Sequence, residues 1–124
     1  MSRLRSSPAL AFAAFCLAVA QPTVAMADDS YGAIAFSTES GANGHSYNYD
    51  SREEAEERAL QECGSGCQVV LWFKNGCGAL AVGINNGWGT GWSGSREEAE
   101  NTALNQCAQR TSSCDVKVRA CTAR

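Results

Sequence analysis

The chain has little positive charge, one histidine and no second long apolar run: 10 Lys and Arg stand against 13 Asp and Glu in 124 residues, a formal net charge of −3. A surplus of carboxylates with no basic stripe argues against nucleic acid and anionic membrane surfaces as partners, because phosphate contacts and counterion release need clustered Lys and Arg. With His45 alone and no serine in a nucleophile elbow, no catalytic triad can be assembled. No cysteine spacing has the paired C-x2-C form of a zinc site, so neither a metal nor a cofactor is expected. The one apolar run, Ala9 to Ala20, is too short to span a membrane comfortably.

That run reads instead as the middle of a secretory signal over residues 1–27, with Arg3 and Arg5 before it and the small-residue site Ala25-Met26-Ala27 after it. Cleavage before Asp28 leaves residues 28–124 as one domain, exported to the envelope or beyond and not inserted in a membrane. The discarded segment carries Arg3, Arg5 and Cys16, so the remainder is more acidic and keeps six of the seven cysteines. An even number of thiols in a small exported domain with a thin core reads as three disulfides.

The chain carries one structural unit twice. Ser51-Arg-Glu-Glu-Ala-Glu56 recurs as Ser95-Arg-Glu-Glu-Ala-Glu100, and Gly32-Ala-Ile-Ala-Phe36 matches Gly78-Ala-Leu-Ala-Val82. Ser51 and Ser95 cap helices, with Glu54 and Glu98 completing capping boxes and further glutamates favouring the positive end of each helix. Ala55, Ala59, Leu60 and Cys63 share one face, as do Ala99, Ala103, Leu104 and Cys107, which implies close packing on a sheet. Asn43-Gly44 and Asn86-Gly87 align as hairpin turns, each followed by alternation: His45, Tyr47, Tyr49 and Trp88, Thr90, Trp92. After each helix comes a β-branched strand, and Asn75-Gly76 between the copies reads as a third hairpin. The expected fold is therefore α+β: two ββαβ copies, about 31–74 and 77–121, with two helices on a mostly antiparallel sheet. If the Asn43 and Asn86 segments are only loops, the order becomes the ferredoxin-like βαββαβ.

The duplicated strands, the two helices and the cysteines at 63, 67, 77, 107, 114 and 121 resemble domain-of-unknown-function family 4189 over essentially the whole of residues 28–124. The resemblance implies a small exported bacterial protein, in a family many of whose members are actinobacterial. It also implies paired cysteines and no assigned chemistry. Secreted members of the family are candidates for contact with a host or with neighbouring cells.

Repeat symmetry favours Cys63–Cys67, Cys107–Cys114 and Cys77–Cys121, the last linking the halves. Cys63–Cys77 with Cys107–Cys121 and Cys67–Cys114 is the other symmetric scheme. Gly89-Thr-Gly-Trp-Ser-Gly94 matches G-x-G-x-x-G, but it lacks the parallel strand and the acidic residue of a dinucleotide fold, and its counterpart in copy one has no glycines. The glycines are expected to admit the tryptophan rings or a close strand. Glu53 with Glu57, and Glu54 with Arg58, are spaced for one helical face and read as solvated surface with i,i+4 pairing. Tyr47, Tyr49, Trp88 and Trp92 form the candidate binding surface, against the plainer reading that they cover the alanine face of the sheet. The functional expectation is a non-catalytic interaction or effector protein, monomeric or weakly dimeric, with a protein or glycan partner. A carbohydrate-binding module of the envelope is the alternative, and an envelope hydrolase or its inhibitor a further one.

Overall fold

The computed structural model describes residues 28–123, and the expected signal segment, 1–27, lies outside them. The elements run β1 (Tyr31–Phe36), β2 (Asn43–Tyr49), α1 (Arg52–Cys63), β3 (Gln68–Lys74), β4 (Cys77–Val82), β5 (Trp88–Ser93), α2 (Arg96–Ala108) and β6 (Asp115–Cys121), with a 3-10 turn at Ile84–Asn86. The fold is α+β, ββαβ followed by ββαβ. The ferredoxin-like order fails because β2 and β5 are full strands, paired antiparallel to β1 and β4.

The strands form two three-stranded antiparallel sheets, ordered β2-β1-β3 and β5-β4-β6, rather than one. The central strands explain why. Ala33 and Ala35 pack with Ala55, Ala59 and Cys63 of α1, and Ala79 and Ala81 pack with Ala99, Ala103 and Cys107 of α2. The alternate residues, Ile34, Phe36, Leu80 and Val82, meet Phe73, Val118 and Ala120 in a separate cluster between the sheets. Strands apolar on both faces need a layer on each side, so the chain stacks as helix, sheet, sheet, helix. The alanine faces are covered by helices, not by aromatic rings, because alanine on alanine lets a helix lie close to a sheet. In the stack β3 lies over β5 and β2 over β6.

Asn75-Gly76 does not close a ladder between β3 and β4, which lie in different sheets. Asn75, at φ 53°, turns the chain from one layer to the next. Its side chain accepts from the Ser30 amide at 2.9 Å and donates to Asp29 at 3.0 Å. Asn43-Gly44 is not a turn either: the β1–β2 turn spans residues 37–42, closed by Ser37 N–H on Ala42 O at 2.9 Å, and Asn43 opens β2. Asn86-Gly87 does lie in the β4–β5 turn, with Asn86 at φ 59°.

Both helices begin as their sequence dictates. Ser51 accepts from Glu54 N–H at 3.1 Å and Ser95 from Glu98 N–H at 3.4 Å. The second capping box is not reciprocal, since the Glu98 carboxylate takes the Ser93 hydroxyl at 2.6 Å, and Ser95 N–H donates to that same hydroxyl oxygen at 3.2 Å. Ser51→Ala is expected to cost about 1 kcal/mol, read as a lower urea midpoint with unchanged slope.

The disulfides are Cys63–Cys67, Cys107–Cys114 and Cys77–Cys121. The third does not link the halves: Cys77 and Cys121 are cross-strand partners on β4 and β6 of one sheet. It closes the longest loop, 44 residues against 4 and 7. Replacing Cys77 and Cys121 by Ala is expected to lower stability by roughly 3 to 4 kcal/mol, against about 2 kcal/mol for either local bridge, in urea titrations of the oxidised protein.

Candidate functional site

The two copies superpose by hydrogen-bond register, and that register differs from the Asn-Gly alignment by two residues. Ala33 pairs with Ser46 where Ala79 pairs with Gly91. A Cβ on Gly44 would meet Ala59 O and Cys63 N, and one on Gly89 would meet Ala103 O and Cys107 N, the same two places on the two helices. His45 N–H faces Glu62 and Thr90 N–H faces Gln106 in like manner. Tyr47 is therefore the counterpart of Trp92, and His45 that of Thr90.

Copy one then departs. Asn48, at φ 66°, is an extra residue where the β1–β2 register shifts. Such a bulge reverses which face the next side chain takes. Tyr47 stays on the face of His45, their rings stacked at 6.2 Å, while Tyr49 packs against the α1 layer beside Tyr31 and Leu60. Tyr49 there borders a polar hollow with Glu54, Glu57, Arg58 and Gln61.

The four aromatics proposed from sequence thus do not form one surface. Trp88 is half-buried against the inter-sheet core, 6.2 Å from Phe36, with the Arg110 guanidinium 4.9 Å over its ring and donating to its carbonyl at 3.1 Å. Tyr47 lies on β2 at one edge of the stack, 50% exposed, and Trp92 on β5 at the other, 65% exposed. Trp92 is the most exposed large apolar side chain among the described residues.

Trp92 lines a groove of 480 Å³ together with Val70, Leu71, Trp72, Phe73 and Lys74 of β3. β3 and β5 are edge strands of different sheets, so the groove runs along the open side of the stack. A bulge at Val70, where Ile34 pairs with Leu71 and Ala35 with Val69, tilts the first half of β3 and leaves Leu71–Lys74 regular. Trp72 is held from behind, with Arg52 of α1 at 4.5 Å over its ring and Tyr31 at 6.3 Å. Lys74 supplies the groove's one charge and faces Asp29 at 3.8 Å, both about half exposed.

The opposite edge carries the same backbone with different chemistry. β6 has its bulge at Lys117, between the pairs Leu80–Val118 and Ala81–Val116. Lys117 stands for Val70, Val118 for Leu71, Arg119 for Trp72 and Tyr47 for Trp92. Arg119 is engaged with Glu100 of α2. Two of the four positions thus carry charge on one edge, Lys117 and Arg119, and apolar side chains on the other, Val70 and Trp72. The apolar groove belongs to the side chains of β3 and β5, not to the architecture.

The remaining candidates resolve simply. His45 is half-buried on Tyr47, and among the described residues no three His, Cys, Asp or Glu side chains are grouped to hold a metal ion. Arg58 pairs with Glu62 at 3.2 Å rather than with Glu54, and Arg52 with Glu56 at 2.7 Å. Gly89 and Gly91 face α2, whose backbone would meet a Cβ at 2.3 Å, so the glycines admit a helix and leave no cradle for a phosphate. The β3 side of the groove is not apparent in the sequence because the hairpin expected at Asn75-Gly76 pairs β3 with β4, whereas the two lie in different sheets. The signal was Lys74 at its end and a run of apolar residues without glycine.

Among known proteins, the chain is similar to Rv1269c of Mycobacterium tuberculosis, 46% identical over 59 residues, 47% of this chain and 46% of that protein. It is also similar to Rv1813c of the same organism, 41% identical over 78 residues, 61% of this chain and 52% of that protein. The chain thus spans about half the length of the curated relatives it matches. The NMR structure of Rv1813c superposes with a TM-score of 0.59 at 24% identity, covering 91% of this chain and 95% of that one, a likeness of fold. The model of the family described as "Domain of unknown function (DUF4189)" matches residues 31–121, and the chain belongs to that family.

Proposed function

We propose that this is a non-catalytic recognition protein that acts outside the cytoplasm and binds a protein partner through the groove between β3 and β5, with Trp92 as its anchor. One observation carries the reading. At equivalent positions of a duplicated fold, one edge has Tyr47, Lys117, Val118 and Arg119, and the other has Trp92, Val70, Leu71 and Trp72, with Trp92 exposed over the groove. A large aromatic at 65% exposure next to half-buried aliphatics is what an interface centre requires and what a monomer's stability does not.

The three disulfides support an oxidising compartment, and the signal-like residues 1–27 support export. Among the described residues no helix is long and apolar enough to cross a membrane. The groove suits protein better than glycan. A sugar ring stacked on Trp92 needs polar side chains around it for its hydroxyls, and Lys74 is the one polar side chain in the lining.

Affinity capture from envelope and host-cell extracts tests this, using the oxidised protein with Trp92→Ala and Tyr47→Ala as paired controls. Trp92→Ala is expected to leave the unfolding free energy from urea titration within about 0.5 kcal/mol of the parent and to abolish capture. Tyr47→Ala is expected to keep both. Capture that survives Trp92→Ala places the contact elsewhere. A tryptophan fluorescence change with saccharides, without protein capture, favours the glycan reading.

A further inference from the structure

The occupant of the groove can be specified from the edge strands, on the reading that the groove is a contact surface. Each sheet leaves two strands unpaired on one side: β2 and β3 in the first, β5 and β6 in the second. Three of these edges are occupied or guarded. On β2, His45 N–H is taken by Glu62 at 3.4 Å. On β5, Thr90 N–H is taken by Gln106 at 3.4 Å and Trp88 O by Arg110 at 3.1 Å. On β6, Lys117 sits at the bulge with Arg119 two residues on, charges of the kind that keep a strand from pairing with another chain.

β3 has none of these devices in its regular half. Among the described residues no side chain hydrogen-bonds to the backbone of Gln68–Lys74. Leu71, Trp72 and Phe73 are apolar, and Lys74 stands only at the end. The residues that line the groove from β3 are the contiguous stretch Val70–Lys74, which is an edge and not a scattered pocket.

We infer that the groove takes an extended peptide of a partner protein, which adds to β3 as a fourth strand of the first sheet. Side chains of an added strand alternate between faces. One set lies toward the second sheet, over Leu71 and Phe73 and under Trp92, and the other set lies on the α1 side beside Trp72 and Arg52. The pairing of Ile34 with Leu71 and of Ala33 with Trp72 fixes those two faces. The peptide is therefore apolar at alternate positions. An acidic residue at the end that reaches Lys74 competes with Asp29 for an ammonium held only by an exposed pair. Backbone hydrogen bonds supply affinity on this scheme, and Trp92 supplies selectivity for the inward set.

The test is selection of a random eight-residue peptide library against the oxidised protein, residues 28–124, the span that carries all the described elements and the three disulfides. The best sequence is then synthesised in three forms: unmodified, N-methylated at odd positions and N-methylated at even positions. Successive backbone N–H groups of a strand point to opposite edges, so one methylated form should lose at least ten-fold in affinity while the other keeps it within about two-fold. The unmodified peptide should lose at least ten-fold against Trp92→Ala. Equal effects of the two methylated forms, or enrichment of peptides with helical rather than alternating apolar spacing, or no enrichment, would overturn strand addition. A peptide that still depends on Trp92 but ignores methylation would leave the groove as the contact and remove the pairing. Asymmetric methylation without Trp92 dependence would show strand pairing outside the Trp92 groove and overturn this placement.

Discussion

Gly89→Val is expected to leave no folded protein. A Cβ at Gly89 would stand 2.3 Å from the amide nitrogen of Cys107 and 2.7 Å from the carbonyl oxygen of Ala103. Both obstacles are backbone of α2, so no side-chain rotation relieves them, and α2 must lift off β5. Lifting it opens the alanine layer of Ala79, Ala81, Ala99 and Ala103, each buried completely. The loss is expected to exceed about 5 kcal/mol, enough to unfold a small domain of marginal stability. Gly44→Val should fail in the same way, since its Cβ would meet Ala59 O at 2.4 Å and Cys63 N at 2.5 Å. Gly94→Ala is the control from the same glycine-rich stretch: nothing lies within 4 Å of its Cβ and its φ is ordinary. Circular dichroism and urea titration of the three variants should show two unfolded chains and one like the parent.

Phe73→Ala is expected to cost about 4 to 5 kcal/mol, the upper end for a buried ring. The ring sits between the sheets over Gly32 of β1 and Gly78 of β4, whose Cβ positions it would approach to 2.4 and 2.5 Å. It therefore fills space that both copies leave open with a glycine. Its counterpart by register is Ala120, so the pair is one large residue and one small across an otherwise repeated core. The ring faces Gly32 and Gly78, which have no side chain to move into the hole, and this places the cost high in the range. The reciprocal change, Ala120→Phe, should also destabilise, by about 1 to 3 kcal/mol, because the space opposite is already taken. Urea midpoints of the two single variants measure both.

The helices were legible because their signals are local: a serine cap, glutamates in the first turn, and alanines returning on one face. The order of strands was legible from the repeat. Three things were not. Alternation in Gly32–Phe36 and Gly78–Val82 showed that both faces are apolar, but small residues on one face and large ones on the other separate a helix layer from a sheet layer only once the partners are known. The repeated Asn-Gly pairs were aligned as turns although Asn43-Gly44 opens a strand. The true match, Gly44 with Gly89, is set by how closely each helix approaches, which a turn motif does not record. The third concerns the aromatics. Tyr47 and Tyr49 read as one face because alternation is assumed to be unbroken, and Asn48 breaks it. Trp88 and Trp92 do share a strand face, but one end of that strand is covered by Arg110 and the inter-sheet core while the other runs out into the groove.

The central claim is that function lies on the Trp92 edge and not on its counterpart. A photo-reactive benzoylphenylalanine placed at position 92 in one variant and at position 47 in another tests it, since the two sites are equivalent in the fold and similar in exposure. Irradiation in envelope and host-cell extracts should give a discrete adduct from position 92, competed by excess parent protein, and none from position 47. An adduct from position 47 alone, or equal adducts from both, would contradict the account.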